Sequence, residues 1–221
     1  MQKLIQGIHE FQTNIFRPQR ELFEKLSRGQ NPETLFITCS DSRINPNLIT
    51  QTQPGELFII RNAGNIVPPH GPNNTGGESA TIEYAVAVLQ VKDIIVCGHT
   101  HCGAMTAVID GKGLESVPRV AAWLQHADAT REVINRHYRH LEPAARVNAA
   151  AQENVLLQLE HLRTQPHVAA GLAGGTLRLH GWVYKIETGE VFAFDPEQRQ
   201  FVPVKEVPLP QARPTLHLRA I

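Results

Sequence analysis

The stretch Leu35-Phe36-Ile37-Thr38-Cys39 is a short, continuous apolar run that ends at a cysteine, and two similar runs follow at Leu57–Ile60 and Val91–Val96. Continuous apolar runs of this length are typical of strands that are buried on both faces of a parallel sheet. Between the second and third runs, 78–90 has a helical pattern that follows Asn74, Thr75 and two glycines. The order strand, helix, strand predicts an α/β fold with right-handed crossovers.

The remaining chain continues this α/β pattern. Helical periodicity predicts helices at Arg119–Tyr138 and Pro143–Arg163, and β-rich runs predict strands at Thr176–Ile186 and Glu190–Phe194. We therefore expect a mostly parallel central sheet flanked by helices. No linker divides the chain, so we expect one domain over 1–201, including an N-terminal helical arm.

The two ends of the chain differ from this middle part. Apolar residues recur at helical spacing through the first 30 positions, at Leu4, Ile5, Ile8, Phe11, Ile15, Leu22, Phe23 and Leu26. An apolar helix face of this kind is expected to pack against another surface, either a partner subunit or the chain's own sheet. Residues 202–221 contain Pro203, Pro208, Pro210 and Pro214, and we expect an extended, proline-rich tail there.

The composition excludes several classes of function. The 221 residues include 21 basic and 21 acidic side chains, so no basic field is available to bind nucleic acid. No apolar run approaches the roughly 20 residues that a membrane span needs. Three cysteines without a secretory signal indicate a cytoplasmic protein without a disulfide framework.

Two short segments contain the residues that suit metal chemistry. Cys39-Ser40-Asp41-Ser42-Arg43 and Cys97-Gly98-His99-Thr100-His101-Cys102-Gly103 each follow a predicted strand. The carboxyl ends of strands in an open α/β sheet meet at one crevice, so we expect both segments to face one site.

Two thiolates and one imidazole are a ligand set that suits zinc. Cys39 and Cys102 are the candidate thiolates, and His99 is preferred over His101 because adjacent side chains rarely converge on one ion. Three protein ligands leave the fourth tetrahedral position open, as in catalytic zinc sites. Cys97 lies in an apolar run and is expected to be a small buried side chain.

Asp41 and Arg43 allow two interpretations. The arginine can hold the carboxylate ionised and oriented beside the metal. Alternatively, Asp41 caps the following turn and Arg43 is solvated. The residues alone leave both open.

With these motifs, the chain resembles the β-class carbonic anhydrases, whose signature is Cys-x-Asp-x-Arg followed much later by His-x-x-Cys. The resemblance runs from the N-terminal helix to about Phe201. It is to the plant-type branch, and within it to cyanobacterial carboxysomal members, through 1–26, 61–65 and 180–184.

The resemblance implies reversible hydration of CO2 to bicarbonate by attack of zinc-bound hydroxide, with one Zn2+ per subunit. It implies that Asp41 orients the nucleophile while Arg43 keeps Asp41 off the metal. It also assigns substrate-binding residues, which are Gln30, Phe58, Tyr84 and the backbone N–H of Gly103.

Further expectations concern partners and regulation. The family builds its aromatic wall partly from a neighbouring subunit, which implies a homodimer that can assemble to a hexamer or octamer. The carboxysomal relatives suggest a role in inorganic carbon supply inside carboxysomes, with a scaffold protein as partner. Phe36 stands where a bicarbonate-inhibited branch has tryptophan, which argues against that form of regulation.

Two alternative functions stay open on the sequence. One is a hydrolase of CS2 or COS on the same zinc scaffold. The other is a zinc-stabilised assembly protein without catalysis, although assembly needs neither Gln30 nor the Asp41–Arg43 pair.

Overall fold

The fold is a six-stranded sheet with helices against it, which confirms the predicted α/β class. The computed structural model describes residues 1–72, 74 and 76–204. The strands are β1 (Thr34–Cys39), β2 (Leu57–Asn62), β3 (Asp93–His99), β4 (Arg178–Tyr184), β5 (Val191–Asp195) and β6 (Gln200–Pro203). Their order is β2-β1-β3-β4-β5-β6, in which the first four are parallel and the last two pair antiparallel.

Helices connect and cover these strands. They are α1 (Gln2–Glu10), α2 (Arg20–Leu26), α3 (Pro46–Thr50), α4 (Gly77–Glu83), α5 (Gly103–Asp110), α6 (Pro118–Leu124), α7 (Asp128–His137), α8 (Pro143–Thr164) and α9 (Pro166–Ala173). Segments Phe11–Phe16 and Tyr84–Val88 are π-helical continuations of α1 and α4. The single helix predicted at Arg119–Tyr138 is wrong, because a 3-10 turn at Gln125–Ala127 separates α6 from α7.

The longest helix, α8, packs directly on β3 and β4. Val155 and Leu159 of this helix share a buried apolar cluster with residues of both strands. Two strand glycines allow this close approach, because a Cβ at Gly98 or at Gly181 would lie 2.9 Å from a methyl group of Val155. The first half of α8 therefore lies beside the carboxyl end of β3.

The two ends of the chain meet the predictions in different ways. The helical N-terminus is present, but no residue of α1, α2 or the π-helical segment between them is buried. Strand β6 continues to Pro203, two residues past the expected domain end at 201. The rest of the predicted tail, 205–221, lies outside the described residues. None of the described helices is long and apolar enough to cross a membrane.

Candidate metal centre

The three predicted ligands come together at the carboxyl edge of the sheet. Cys39 is the last residue of β1, His99 is the last residue of β3, and Cys102 directly precedes α5. Their ligand atoms lie within 4.8 Å of one another, and all three side chains are buried. Sulfur ligands of a tetrahedral zinc stand roughly 3.8 Å apart, given Zn–S bonds of about 2.3 Å. The expected convergence of the two segments is therefore confirmed.

The imidazole of His99 has one nitrogen free to bind a metal. Its Nδ1 lies 2.9 Å from the carbonyl oxygen of Thr100, and because a carbonyl only accepts, Nδ1 is the donor. The Nε2 atom then carries a lone pair, is fully buried and has no hydrogen-bond partner. A buried unpaired nitrogen is costly unless a ligand satisfies it, so the residues fit a zinc ion.

The thiols of Cys39 and Cys102 form a coupled pair. A hydrogen bond from Cys102 lowers the pKa of Cys39 to about 4, against the opposing effect of burial. The hydrogen bond to Cys39, together with burial, raises the pKa of Cys102. The backbone N–H of Gly64 also donates to Cys39 Sγ at 3.4 Å. The hydrogen bond between the two sulfurs thus favours ionisation of Cys39, and a bound cation would stabilise the thiolate form of such ligands.

The third cysteine has a different environment, as predicted. Cys97 is fully buried inside β3, and burial raises its pKa to about 12. It packs with Phe36, Ile44 and Ile95 in a separate apolar cluster. Cys97 is therefore a protonated core side chain.

Asp41 is held by Arg43 beside the metal ligands. Arg43 Nε donates to Asp41 Oδ1 at 2.9 Å, and Arg43 Nη2 donates to Asp41 Oδ2 at 2.7 Å. The backbone N–H of Arg43 adds a bond of 3.0 Å to Oδ1. These hydrogen bonds hold the pKa of Asp41 well below its usual range, although partial burial opposes them. The carboxylate is ionised, and its Oδ2 lies 3.9 Å from His99 Nε2.

Arg61 and Gly64, which the sequence analysis gives no individual role, support this arrangement. Arg61 Nε donates to the carbonyl of Cys39 at 3.1 Å, and its Nη2 donates to the carbonyl of Asp41 at 2.7 Å. Arg61 belongs to β2, and Gly64 follows it in the next loop. Their position at the carboxyl end of a parallel strand was the signal that pointed to this edge.

The predicted substrate-binding residues do not all meet at this chain's own metal centre. Gly103 adjoins Cys102 at the first turn of α5. Phe58 pairs with Leu35 in the β1–β2 register. Because Leu35 is four residues before Cys39, Phe58 lies about 13 Å along the strands from the metal centre. Its ring packs against Tyr84 with a centroid distance of 6.0 Å. Tyr84 and Gln30 are exposed.

A buried site with two cysteine sulfurs, one imidazole and an ionised carboxylate paired with an arginine is typical of the class of zinc enzymes that activate water. A family model described as carbonic anhydrase matches residues 34–191. The chain belongs to the β-carbonic anhydrase family, whose members are zinc enzymes.

Relatives of similar identity come from different bacteria. A carbonic anhydrase of Synechocystis is 51% identical, over 91% of this chain and 74% of the relative. A carbonic anhydrase of Pseudomonas aeruginosa is also 51% identical, over 94% of each chain. The solved structure of the β-carbonic anhydrase CcaA superposes with a TM-score of 0.89 at 50% identity, over 92% of this chain and 98% of that one.

Proposed function

We propose that this chain catalyses the reversible hydration of carbon dioxide to bicarbonate and a proton, with one zinc ion held by Cys39, His99 and Cys102. One observation carries the proposal. The carboxylate of Asp41 reaches within 3.9 Å of His99 Nε2, yet both of its oxygens accept hydrogen bonds from Arg43. A carboxylate that is engaged in this way would leave an open ligand position for water when zinc is bound.

The metal contributes one property to this chemistry. When bound, zinc would act as a Lewis acid and lower the pKa of a coordinated water molecule to about 7. Nearly complete burial of the three ligand side chains supports this role, because water is kept from the ligands themselves.

Asp41 has the position and charge to orient the attacking oxygen. Its Oδ2 would accept the hydrogen of that oxygen and direct a lone pair toward the carbon of CO2. Arg43 would hold the carboxylate in this orientation through its two parallel hydrogen bonds. The low pKa of Asp41 supports an acceptor role across the neutral pH range.

The substrate pocket is proposed to include residues of a second subunit. Phe58 and Tyr84 form an apolar pair at a distance from their own metal centre, so we infer that they line the partner's pocket. Gln30 would donate a hydrogen bond to a substrate oxygen, and the N–H of Gly103 would orient bound anion. Tyr84 is 44% exposed in the single chain, which supports a position at an interface.

The N-terminal arm supports the same homodimer. Its large apolar side chains are exposed within one chain, at Leu4, Ile5, Ile8, Phe11, Ile15 and Phe16. Exposed apolar surface of this extent marks an interaction site. Association beyond the dimer, to a hexamer or octamer, stays a prediction.

The cellular role is a further part of the proposal. Resemblance to cyanobacterial members predicts that the enzyme supplies inorganic carbon for fixation, in carboxysomes and beside a scaffold protein. Identity of 51% to both the Synechocystis and the Pseudomonas relatives adds no preference for that role over a general cytoplasmic one.

Replacement of Arg43 by alanine tests the proposed division of roles. The freed Asp41 carboxylate would take the open metal position, so CO2 hydration should fall by roughly a hundredfold or more, as when other electrostatic contacts of a reacting group are removed. Zinc per subunit, measured by elemental analysis, should stay at one.

Arg131→Ala is the matched control, since Arg131 is a partly exposed arginine of α7 that pairs with Asp128 at 3.1 Å, much as Arg43 pairs with Asp41. It should leave the hydration rate unchanged. Turnover at the wild-type rate in zinc-loaded Arg43→Ala would contradict the proposal. A fully zinc-loaded wild-type protein that hydrates no CO2 would favour the CS2 or COS hydrolase or the assembly protein.

A further inference from the structure

The turn between the two metal ligands His99 and Cys102 has an unusual backbone. His101 adopts a φ of 54°, in the left-handed region that side chains rarely occupy. Non-glycine residues persist there only when their surroundings hold them. The side chain of His101 is 47% exposed and contributes little packing, so the hold must come from the backbone and from neighbouring residues.

Side chains from two other elements hold this turn. From α8, Asn148 Oδ1 accepts a hydrogen bond from the backbone N–H of His101 at 3.0 Å. From the β4–β5 connection, the N–H of Ile186 donates to Thr100 Oγ1 at 3.0 Å, and that hydroxyl donates to Glu187 at 2.7 Å. The two contacts lie on adjacent residues of the turn.

The backbone of the His101 turn also contacts Arg43, the arginine that pairs with Asp41. The carbonyl oxygen of His101 accepts a hydrogen bond from Arg43 Nη2 at 3.1 Å. The same Nη2 donates to Asp41 Oδ2 at 2.7 Å. A rotation of the His101 peptides would therefore remove one of the two acceptors that hold this guanidinium nitrogen.

We propose that Asn148 is a positioning residue for the metal centre: its amide oxygen holds the His101 turn, the turn holds Arg43, and Arg43 keeps Asp41 away from the fourth metal position. The inference rests on the proposed function, because that function requires a metal position that is open to water. It assigns a role in the reaction to a residue of α8 that lies far from both motifs in the sequence.

The location of Asn148 suits this role. Helix α8 lies against β3 through Gly98, whose missing Cβ would otherwise meet the carbonyl oxygen of Ala151 at 3.2 Å. Asn148 stands about one helical turn before Ala151 and so reaches past the end of β3 to the turn. The Asn148 side chain is half-buried, and its Oδ1 atom accepts the hydrogen bond from the His101 backbone.

Three variants separate positioning from a merely structural role. Asn148→Ala removes the acceptor, while Asn148→Asp keeps an oxygen at the same place. Alanine has a higher helix propensity than asparagine, so Asn148→Ala should not weaken α8 itself. Gln152→Ala, at an exposed position one turn further along the same helix, is the matched control.

The experiment measures the open metal position directly and then catalysis. Azide is titrated into the cobalt-substituted full-length protein, with the dissociation constant read from the visible spectrum, and kcat/KM for CO2 hydration is measured on the zinc protein. Asn148→Ala should raise the azide dissociation constant and lower kcat/KM by about fivefold each, the factor that one ordinary hydrogen bond provides. Asn148→Asp and Gln152→Ala should stay within about twofold of wild type.

The same substitution in an Arg43→Ala variant tests whether the effect of Asn148 is transmitted through Arg43. In Arg43→Ala protein, the further change Asn148→Ala should have no effect on azide affinity, because the contact that it supports is already absent. Equal azide affinity in wild type and Asn148→Ala, or an equal loss in Asn148→Asp, would overturn the inference. If the wild type binds azide but hydrates no CO2, the proposed function fails, while the azide titration still decides the role of Asn148.

Discussion

A side chain at Gly98 would collide with helix α8, and Gly98→Ala therefore tests how the fold positions the metal site. The new Cβ would lie 2.9 Å from Val155 Cγ2 and 3.2 Å from the backbone oxygen of Ala151. Val155 is fully buried, and its branched side chain has little rotamer freedom. The helix must therefore move away from β3.

The expected cost follows from these contacts. Insertion of one methyl group into a well-packed core typically costs about 1–3 kcal/mol. For a chain of 221 residues, each kcal/mol lowers the unfolding temperature by roughly 2–4 °C. We therefore expect the unfolding temperature of Gly98→Ala to lie about 2–12 °C below that of wild type.

Calorimetry at matched protein concentration measures this shift, since assembly makes the unfolding temperature depend on concentration. Gly77→Ala is the control, because nothing lies within 4 Å of a Cβ placed there. Gly98→Ala combined with Val155→Ala should be less destabilised than the sum of the two single variants, because the new methyl group fills the space left by the valine. An unchanged unfolding temperature, or strict additivity, would refute the reasoning.

Three further predictions address the metal, the arm and a partly buried ion pair. Cys39→Ser should lose the metal, seen as a zinc content well below one per subunit, whereas retention of full zinc would contradict the ligand set. Phe11→Glu should place a charge on the apolar face of the arm and shift the protein to smaller species in analytical ultracentrifugation, and an unchanged sedimentation profile would exclude this face from the interface. Burial disfavours ionisation of the Asp93 carboxyl, but hydrogen bonds from Arg178 and His180 outweigh burial and lower its pKa. The stabilisation of the fold by this ionised carboxylate is therefore present above the ordinary pKa of 3.8 and is lost as the pH falls below 3.8 through the lowered pKa. Asp93→Asn should therefore lower the free energy of unfolding by about 2 kcal/mol at pH 7 and by progressively less as the pH falls below 3.8, and a pH-independent difference would contradict the ion pair.

The sheet could be predicted because its strands carry continuous apolar runs. The runs at 35–38, 57–60 and 91–96 became β1, β2 and β3. The end of β3 was missed because Gly98 and His99 are not apolar, yet both pair with β4 opposite Val183 and Tyr184. The sequence pattern does not reveal α5 because the start of this helix coincides with the metal motif. It does not reveal β6 because Pro203, the last residue of that strand, is followed by further prolines that suggest a tail.

The cluster of Cys39, His99 and Cys102 could be predicted because parallel strands bring their carboxyl ends together. The same rule predicts that Asp41 and Arg43 lie at this edge. In the structure the arginine side chain pairs with the carboxylate, and Asp41 also accepts a hydrogen bond from the backbone N–H of Arg43 in the turn, so features of both interpretations are present. Asn148 could not be found from sequence. Its contact with His101 depends on how closely α8 approaches β3, and that distance is determined by Gly98 and Val155 in three dimensions.

The most direct test is stopped-flow CO2 hydration by wild-type protein with its zinc content measured, across pH and with a reductant present. We expect rapid turnover that rises with pH through a group near neutrality, because zinc lowers the pKa of bound water to about 7. No detectable hydration by protein that holds one zinc per subunit would contradict it.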